Sequence, residues 1–216
     1  MASNGDVVEA VRGGNLDRLQ SLLREDPSLA AARDEAGVSA VLLAHYRSRT
    51  DLVDALLARR PRLDVFDAAA LGRTQVVAAR IDEDPGSVSA WSGDGFTALH
   101  LAAFFARPDA AALLLERGAD PAIPARNASL VTPLHSAAAG RSIEIVRMLL
   151  MRGVDANARQ LGGWTALHAA AAQADEAMIR LLLGHGAFPQ VAADDGTTAS
   201  ALASGKGHTA VVELLL

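Results

Sequence analysis

The chain contains no cysteine, which removes disulfides, thiol nucleophiles and cysteine-ligated zinc together. Aromatic residues are scarce, at 4% of 216 positions, so any large core must be built from Leu, Val, Ile and Ala. Lysine is nearly missing as well: 19 of the 20 basic residues are arginine, and Lys206 is the exception. With a net charge of −5 there is no sign of the concentrated basic surface that nucleic-acid binders carry. The longest apolar runs, such as Ala110 to Leu115, fall far short of the roughly 18 residues needed to cross a bilayer. Met1 to Ala10 carries Asp6 and Glu9, with neither a basic nor an apolar signal region, so no secretory signal is visible. A cytoplasmic protein without nucleic-acid or membrane partners is the expectation.

What is present is equally one-sided. Half of the residues are hydrophobic, which excludes a disordered chain, and the length allows one or two folding units. Alanine accounts for 46 residues, a composition suited to closely approaching helices. Together with the arginine bias, it points to a GC-rich coding genome, most often bacterial.

Self-similarity then organises the chain. Thr97-Ala98-Leu99-His100 returns as Thr132-Pro133-Leu134-His135 and as Thr165-Ala166-Leu167-His168, with a degenerate copy at Thr198. The steps are 35, 33 and 33 residues (97 to 132, 132 to 165, 165 to 198). Small residues follow each opening, and an apolar triplet lies further on: Leu113–Leu115, Met148–Leu150, Leu181–Leu183 and Leu214–Leu216. Three triplets are followed by Gly118-Ala119-Asp120, Gly153-Val154-Asp155 or Gly186-Ala187-Phe188. A period in this range marks a solenoid.

These residues resemble the ankyrin repeat, with its Thr-Pro-Leu-His opening. The resemblance is strong from Gly93 to Leu216. It implies an all-α solenoid of stacked helix–turn–helix units with short β-hairpin-like loops. The N-terminal 92 residues are a divergent version. An offset of 58 brings Gly14 onto Gly72 and Glu25-Asp26-Pro27 onto Glu83-Asp84-Pro85. Between them lies a further helix pair whose hairpin looks trimmed near Arg60-Pro61-Arg62. Seven units are expected, starting near Asp6, Gly37, Asp64, Gly93, Leu130, Gly163 and Gly196. Residues 1–92 would form the divergent units with a polar cap, and residues 93–216 four regular repeats, the last incomplete, in one continuous solenoid. The final unit stops at Leu214-Leu215-Leu216 without a closing turn. Terminal repeats need a polar face, so either the chain is cut here or this edge meets a partner or a second copy.

Residues that suggest chemistry have simpler explanations. His100, His135 and His168 stand one per repeat. Packed helices lie 8–10 Å apart, too far for one zinc with nitrogens at about 2.0–2.1 Å. Their resemblance to the repeat's opening implies hydrogen bonding to backbone near the turns. Ser204-Gly205-Lys206-Gly207 lacks the hydroxyl residue of a phosphate loop. Asp82-Glu83-Asp84 precedes Pro85 as a solvated turn. Asn127-Ala128-Ser129 fits a glycosylation sequon but has no secretory context. No nucleophile elbow or His-Glu-x-x-His occurs. The expectation is therefore no enzyme, no catalytic residue, no cofactor and no metal.

In ankyrin arrays the recognition surface comes from the hairpin tips, the residue before the opening Thr and two positions after the Ala-Ala pair. Carried onto this chain, those positions hold Trp91, Phe96, Phe104 and Phe105 as central anchors. Arg126, Trp164 and Gln173 extend the contact, with Tyr46-Arg47 and Lys206 at corresponding places. Aromatics and Arg are preferred binding anchors, although Phe104 and Phe105 would also serve as spacers between repeats. The resemblance implies a protein–protein interaction module acting through the concave face and hairpin tips. The alternative is an accessory or inhibitory subunit docking through the apolar C-terminal edge, with self-association there left open.

Overall fold

Short polar side chains start most of the helices. Ser3, Asn15, Ser39, Asp64, Thr97, Ser142, Asp175 and Thr198 each accept a hydrogen bond from a first-turn amide, satisfying donors that the helix itself cannot. The computed structural model describes residues 2–216, and among these it contains fourteen α-helices, three short 3₁₀ helices and no sheet. The helices come as seven consecutive pairs. The first three are α1 (Asn4–Arg12) with α2 (Leu16–Glu25), α3 (Ala40–Tyr46) with α4 (Thr50–Leu57), and α5 (Val65–Leu71) with α6 (Thr74–Glu83). Then follow α7 (Ala98–Phe104) with α8 (Pro108–Glu116), and α9 (Pro133–Ala139) with α10 (Ile143–Leu150). The last are α11 (Ala166–Ala172) with α12 (Glu176–Gly184), and α13 (Ala199–Gly205) with α14 (Thr209–Leu215). Hairpin loops between pairs are closed by single antiparallel bridges, Arg33 to Ser39, Trp91 to Thr97 and Ala192 to Thr198.

The odd-numbered helices stack one on the next as an inner row, from α1 through α13. Alanines at their contacts, such as Ala68, Ala102, Ala137 and Ala170, are completely buried and let the backbones approach. The even-numbered helices pack behind them and contribute the large side chains, among them Leu114, Ile145, Leu149 and Leu182. Burying each such side chain stabilises the fold by about 1.5–3 kcal/mol. Long polar side chains tie the units together by donating to carbonyls in or just after the inner helices. Arg49 donates to the Gly14 carbonyl at 2.9 Å, Arg107 to Ala70 at 3.1 Å and Gln173 to Ala138 at 3.2 Å.

One joint differs from the others. Residues 58–64 suffice to join α4 to α5, whereas residues 84–97 join α6 to α7. The third pair therefore brings no hairpin of its own, and the second and fourth pairs meet across it. A Cβ on Gly93 would lie 1.9 Å from the carbonyl oxygen of Ala36. The Tyr46 hydroxyl donates to Asp94 at 2.7 Å, and the rings of His45 and Phe105 are 4.1 Å apart. The apolar core divides at the same place. One cluster runs from Val7 to Leu56 and another from Val65 to Leu215. A small group, Val38, Leu42, Ala70 and Leu101, bridges them.

The joint also holds a buried acid. Asp67 occupies the third position of α5, where α7, α9 and α11 carry a histidine, and is 2% exposed. Its carboxylate accepts the Ser39 hydroxyl of the preceding unit, and its amide donates to Asp64. Burial, with the nearby Asp64 charge, pushes this carboxyl up to about 6.

Candidate functional site

The threonine and histidine that open α7, α9 and α11 hold the frame of the site. In α7 the Thr97 amide donates to His100 Nδ1 at 3.2 Å. That bond leaves the proton on Nε2, which donates to the Val131 carbonyl of the next hairpin at 3.0 Å. His135 reaches Ala158 at 2.9 Å and His168 reaches Thr197 at 3.0 Å in the same way. Burial drives the His100 ring down to about 4 and lowers His135 and His168 as well, so these rings stay neutral. Both ring nitrogens of each are engaged, and among the described residues no cluster of acids and histidines fit for a metal occurs. Main-chain bonds then link successive hairpins: Arg126 N to Gly95 O, Leu161 N to Ser129 O and Asp194 N to Gly162 O.

This frame encloses an apolar cavity of about 330 Å³. Phe96, Leu101 and Phe104 of the fourth unit form one side. Val131, Ser136 and Ala139 form the floor, and Gln160, Thr165 and Ala169 form the far side. Tyr46, reaching over from the second unit, closes one end. It is held there by its bond to Asp94 and by Phe105, whose ring centroid lies 5.7 Å away. Burial and the Asp94 carboxylate raise the Tyr46 phenol far above its usual range, so it remains an uncharged wall. Two neutral histidines, His100 and His135, complete the lining.

The residues picked out by sequence fall into distinct environments. Phe104 is 45% exposed at the cavity rim and meets Phe105 edge-on. Phe105 itself is half-buried against His45 and Tyr46. Phe96 is half-buried beside His100 and faces the cavity. Trp91 lies beneath Arg126, whose guanidinium carbon is 3.5 Å from the ring centroid, a close cation–π contact. The Trp91 indole nitrogen is buried without a partner. Trp164 packs edge-on against His168, and Gln173 is spent on the Ala138 carbonyl. The structure thus gathers Phe96 and Phe104 at the cavity. Trp91 and Arg126 stack on each other outside its lining, and Gln173 lies at an inter-unit tie.

Two exposed leucines next in sequence to cavity residues escaped the sequence reading. Leu130 is 50% exposed and Leu161 is 61% exposed, on adjacent hairpins joined through Ser129. Leu130 has φ 53 and stands where the other long hairpins have Gly37, Gly95, Gly163 and Gly196, all at positive φ. A leucine held in that region costs on the order of 1–2 kcal/mol relative to an extended conformation. The signal was available: a leucine falls at the glycine register of the repeat.

Comparison with known proteins agrees with this architecture. The family described as "Ankyrin repeats (3 copies)" matches residues 7–125, 65–160 and 134–216. The chain belongs to the ankyrin-repeat family, whose members are generally protein–protein interaction modules and typically non-catalytic. It is 33% identical over 131 residues to the rat (Rattus norvegicus) "Ankyrin repeat and SAM domain-containing protein 6". That alignment covers 56% of this chain and 14% of the relative. It is 37% identical over 117 residues to the human (Homo sapiens) "Neurogenic locus notch homolog protein 4", covering 54% of this chain and 6% of that protein. The chain thus spans only a small fraction of the length of these curated relatives.

Proposed function

We propose that this chain is a non-catalytic module that holds a protein partner against its inner-helix face and hairpin tips, centred on units four to six. One observation carries this reading. Phe104 is left exposed on an apolar cavity, and the exposed Leu130 and Leu161 neighbour its lining residues Ser129, Val131 and Gln160 in sequence, Leu130 being kept there at the cost of backbone strain. Large apolar side chains left exposed beside an apolar cavity accompany contact with a partner. Phe96, Trp91 and Arg126 flank the same centre, with Phe105 supporting it from behind and Trp164 and Gln173 at its far end.

The test is to pass lysate of the source organism over immobilised protein beside a Phe104→Ala/Leu130→Gly/Leu161→Ser variant. These changes touch exposed side chains, and the glycine relieves a left-handed leucine. The thermal midpoint should therefore stay within about 4 °C. A partner retained by the parent and lost from the folded variant, by about 2 kcal/mol or more of binding free energy, supports the reading. Equal retention by both refutes it.

A further inference from the structure

Most polar groups in the cavity lining are already spent. The Tyr46 hydroxyl donates to Asp94 at 2.7 Å, and that of Ser129 donates to Asn127. His100 and His135 use both ring nitrogens, accepting from Thr97 and Thr132 and donating to the Val131 and Ala158 carbonyls. The Thr165 hydroxyl meets His168 Nδ1 at 2.9 Å. Two groups are left. Among the described residues, neither the Ser136 hydroxyl nor the Gln160 side-chain amide bonds to a protein group. Ser136 is the telling one, because it is 6% exposed and buried hydroxyls are as a rule hydrogen-bonded. It follows the opening histidine of α9, where α7 has Leu101 and α11 has Ala169. The stack therefore has no need of a hydroxyl at that register, yet this unit turns one into an apolar cavity.

Water is a poor occupant, since each ordered molecule needs about two to four polar partners. Size and chemistry favour a flat organic molecule instead. A dry cavity of roughly 150 Å³ holds one benzene, and this one has about 330 Å³, room for two fused rings. Phe96, Phe104 and Tyr46, with the two neutral imidazoles, give it aromatic walls. Exposed Phe104 and Ala139 belong to the lining, so the cavity is reached from solvent. No Asp, Glu, Lys or Arg lines it, and Asp94 places a carboxylate against Tyr46, so a charged guest would lose its hydration without a counter-charge in the lining. We propose that the cavity binds a small uncharged molecule of one or two flat rings bearing a hydroxyl or carbonyl, its rings against Phe96 and Phe104 and its polar group on Ser136. Such a ligand site goes beyond the protein-binding reading, and either holds without the other.

The probe is β-naphthol, titrated calorimetrically into the full chain at neutral pH beside β-naphthoate and protonated β-naphthylmethylamine. β-Naphthol should bind saturably at one site, and the two charged probes about tenfold more weakly or worse. Ala139→Phe, which fills the cavity from an exposed position, should weaken β-naphthol about tenfold or more. Ser136→Ala should weaken it about fivefold through the lost hydrogen bond, with the melting midpoint unchanged because α11 already carries alanine there. Phe104→Ala serves as a second cavity variant should Ala139→Phe melt early, and should weaken β-naphthol about fivefold. Charged probes that bind as tightly as β-naphthol overturn the uncharged class. Binding indifferent to Ser136→Ala overturns the polar contact. No saturable binding, or binding that survives both cavity variants, overturns the ligand site altogether. The protein-binding face is judged separately, by the lysate capture.

Discussion

Asp67→Asn should reverse its effect on stability with pH. The carboxyl is 2% exposed and held up to about 6, against 3.8 for the free side chain. The folded chain therefore binds this proton more tightly than the unfolded chain does. The stability this confers is complete below about pH 4 and is lost as pH rises through about 6. The difference between these two values amounts to about 3 kcal/mol. Of the charged groups that face it, Asp64 raises it and Arg33, paired with Asp64 at 2.9 Å, lowers it. Asparagine keeps an oxygen for the Ser39 hydroxyl but adds an amide without a partner, costing about 1 kcal/mol. The variant should thus be more stable than the parent by about 2 kcal/mol near pH 7.5, and less stable by about 1 kcal/mol near pH 4. Urea unfolding followed by circular dichroism at both ends of that range reads the difference. Exposed carboxylates with lowered values, such as Asp6 and Asp26 bonded to Ser3 and Ser28, act in the opposite direction but cancel between the two proteins. Curves that stay parallel across the range, or a variant already weaker at neutral pH, would refute the account of a penalised buried carboxylate.

Other consequences follow from the same packing. The three buried histidines have lowered values, so their contribution is present above about pH 6.5 and is lost as pH falls below that, for His100 down to about 4. His100→Gln should flatten that acid loss, and an unchanged acid limb in denaturant titrations would contradict it. Because the core divides at the third unit, amides in α1 to α4 should exchange with deuterium through a separate, lower-energy opening than those in α7 to α12. A single exchange free energy throughout would count against that division. Gly93→Ala should cost about 2 kcal/mol or more, since its Cβ would meet the Ala36 carbonyl at 1.9 Å and push the two hairpins apart. A melting midpoint equal to the parent's would mean that the hairpins separate freely.

The fold was legible because its signals are local. A capping threonine, a leucine two positions on and a glycine after an apolar triplet each act within one turn of chain. Recurrence at a fixed step then announces the stack. The site was less so. Phe104 and Phe105 look equivalent as neighbours in sequence, yet adjacent helical residues point in different directions. One faces the cavity rim, and the other turns back onto His45 and Tyr46. Leu130 and Leu161 carry little meaning singly; they gain it by lying on hairpins that hydrogen-bond to each other.

Sequence by itself thus determined the family and the all-helical stack, and through the resemblance the structural part of the opening histidines, since periodicity and capping are properties of short stretches of chain. Only the tertiary structure decided that a hairpin missing between α4 and α5 brings Ala36 to Gly93 and Tyr46 to Asp94. Only it decided that Tyr46 then closes an apolar cavity between Phe104 and Ala169. Those contacts join residues dozens of positions apart, and the geometry of the stack, which no single repeat contains, sets the distance between them.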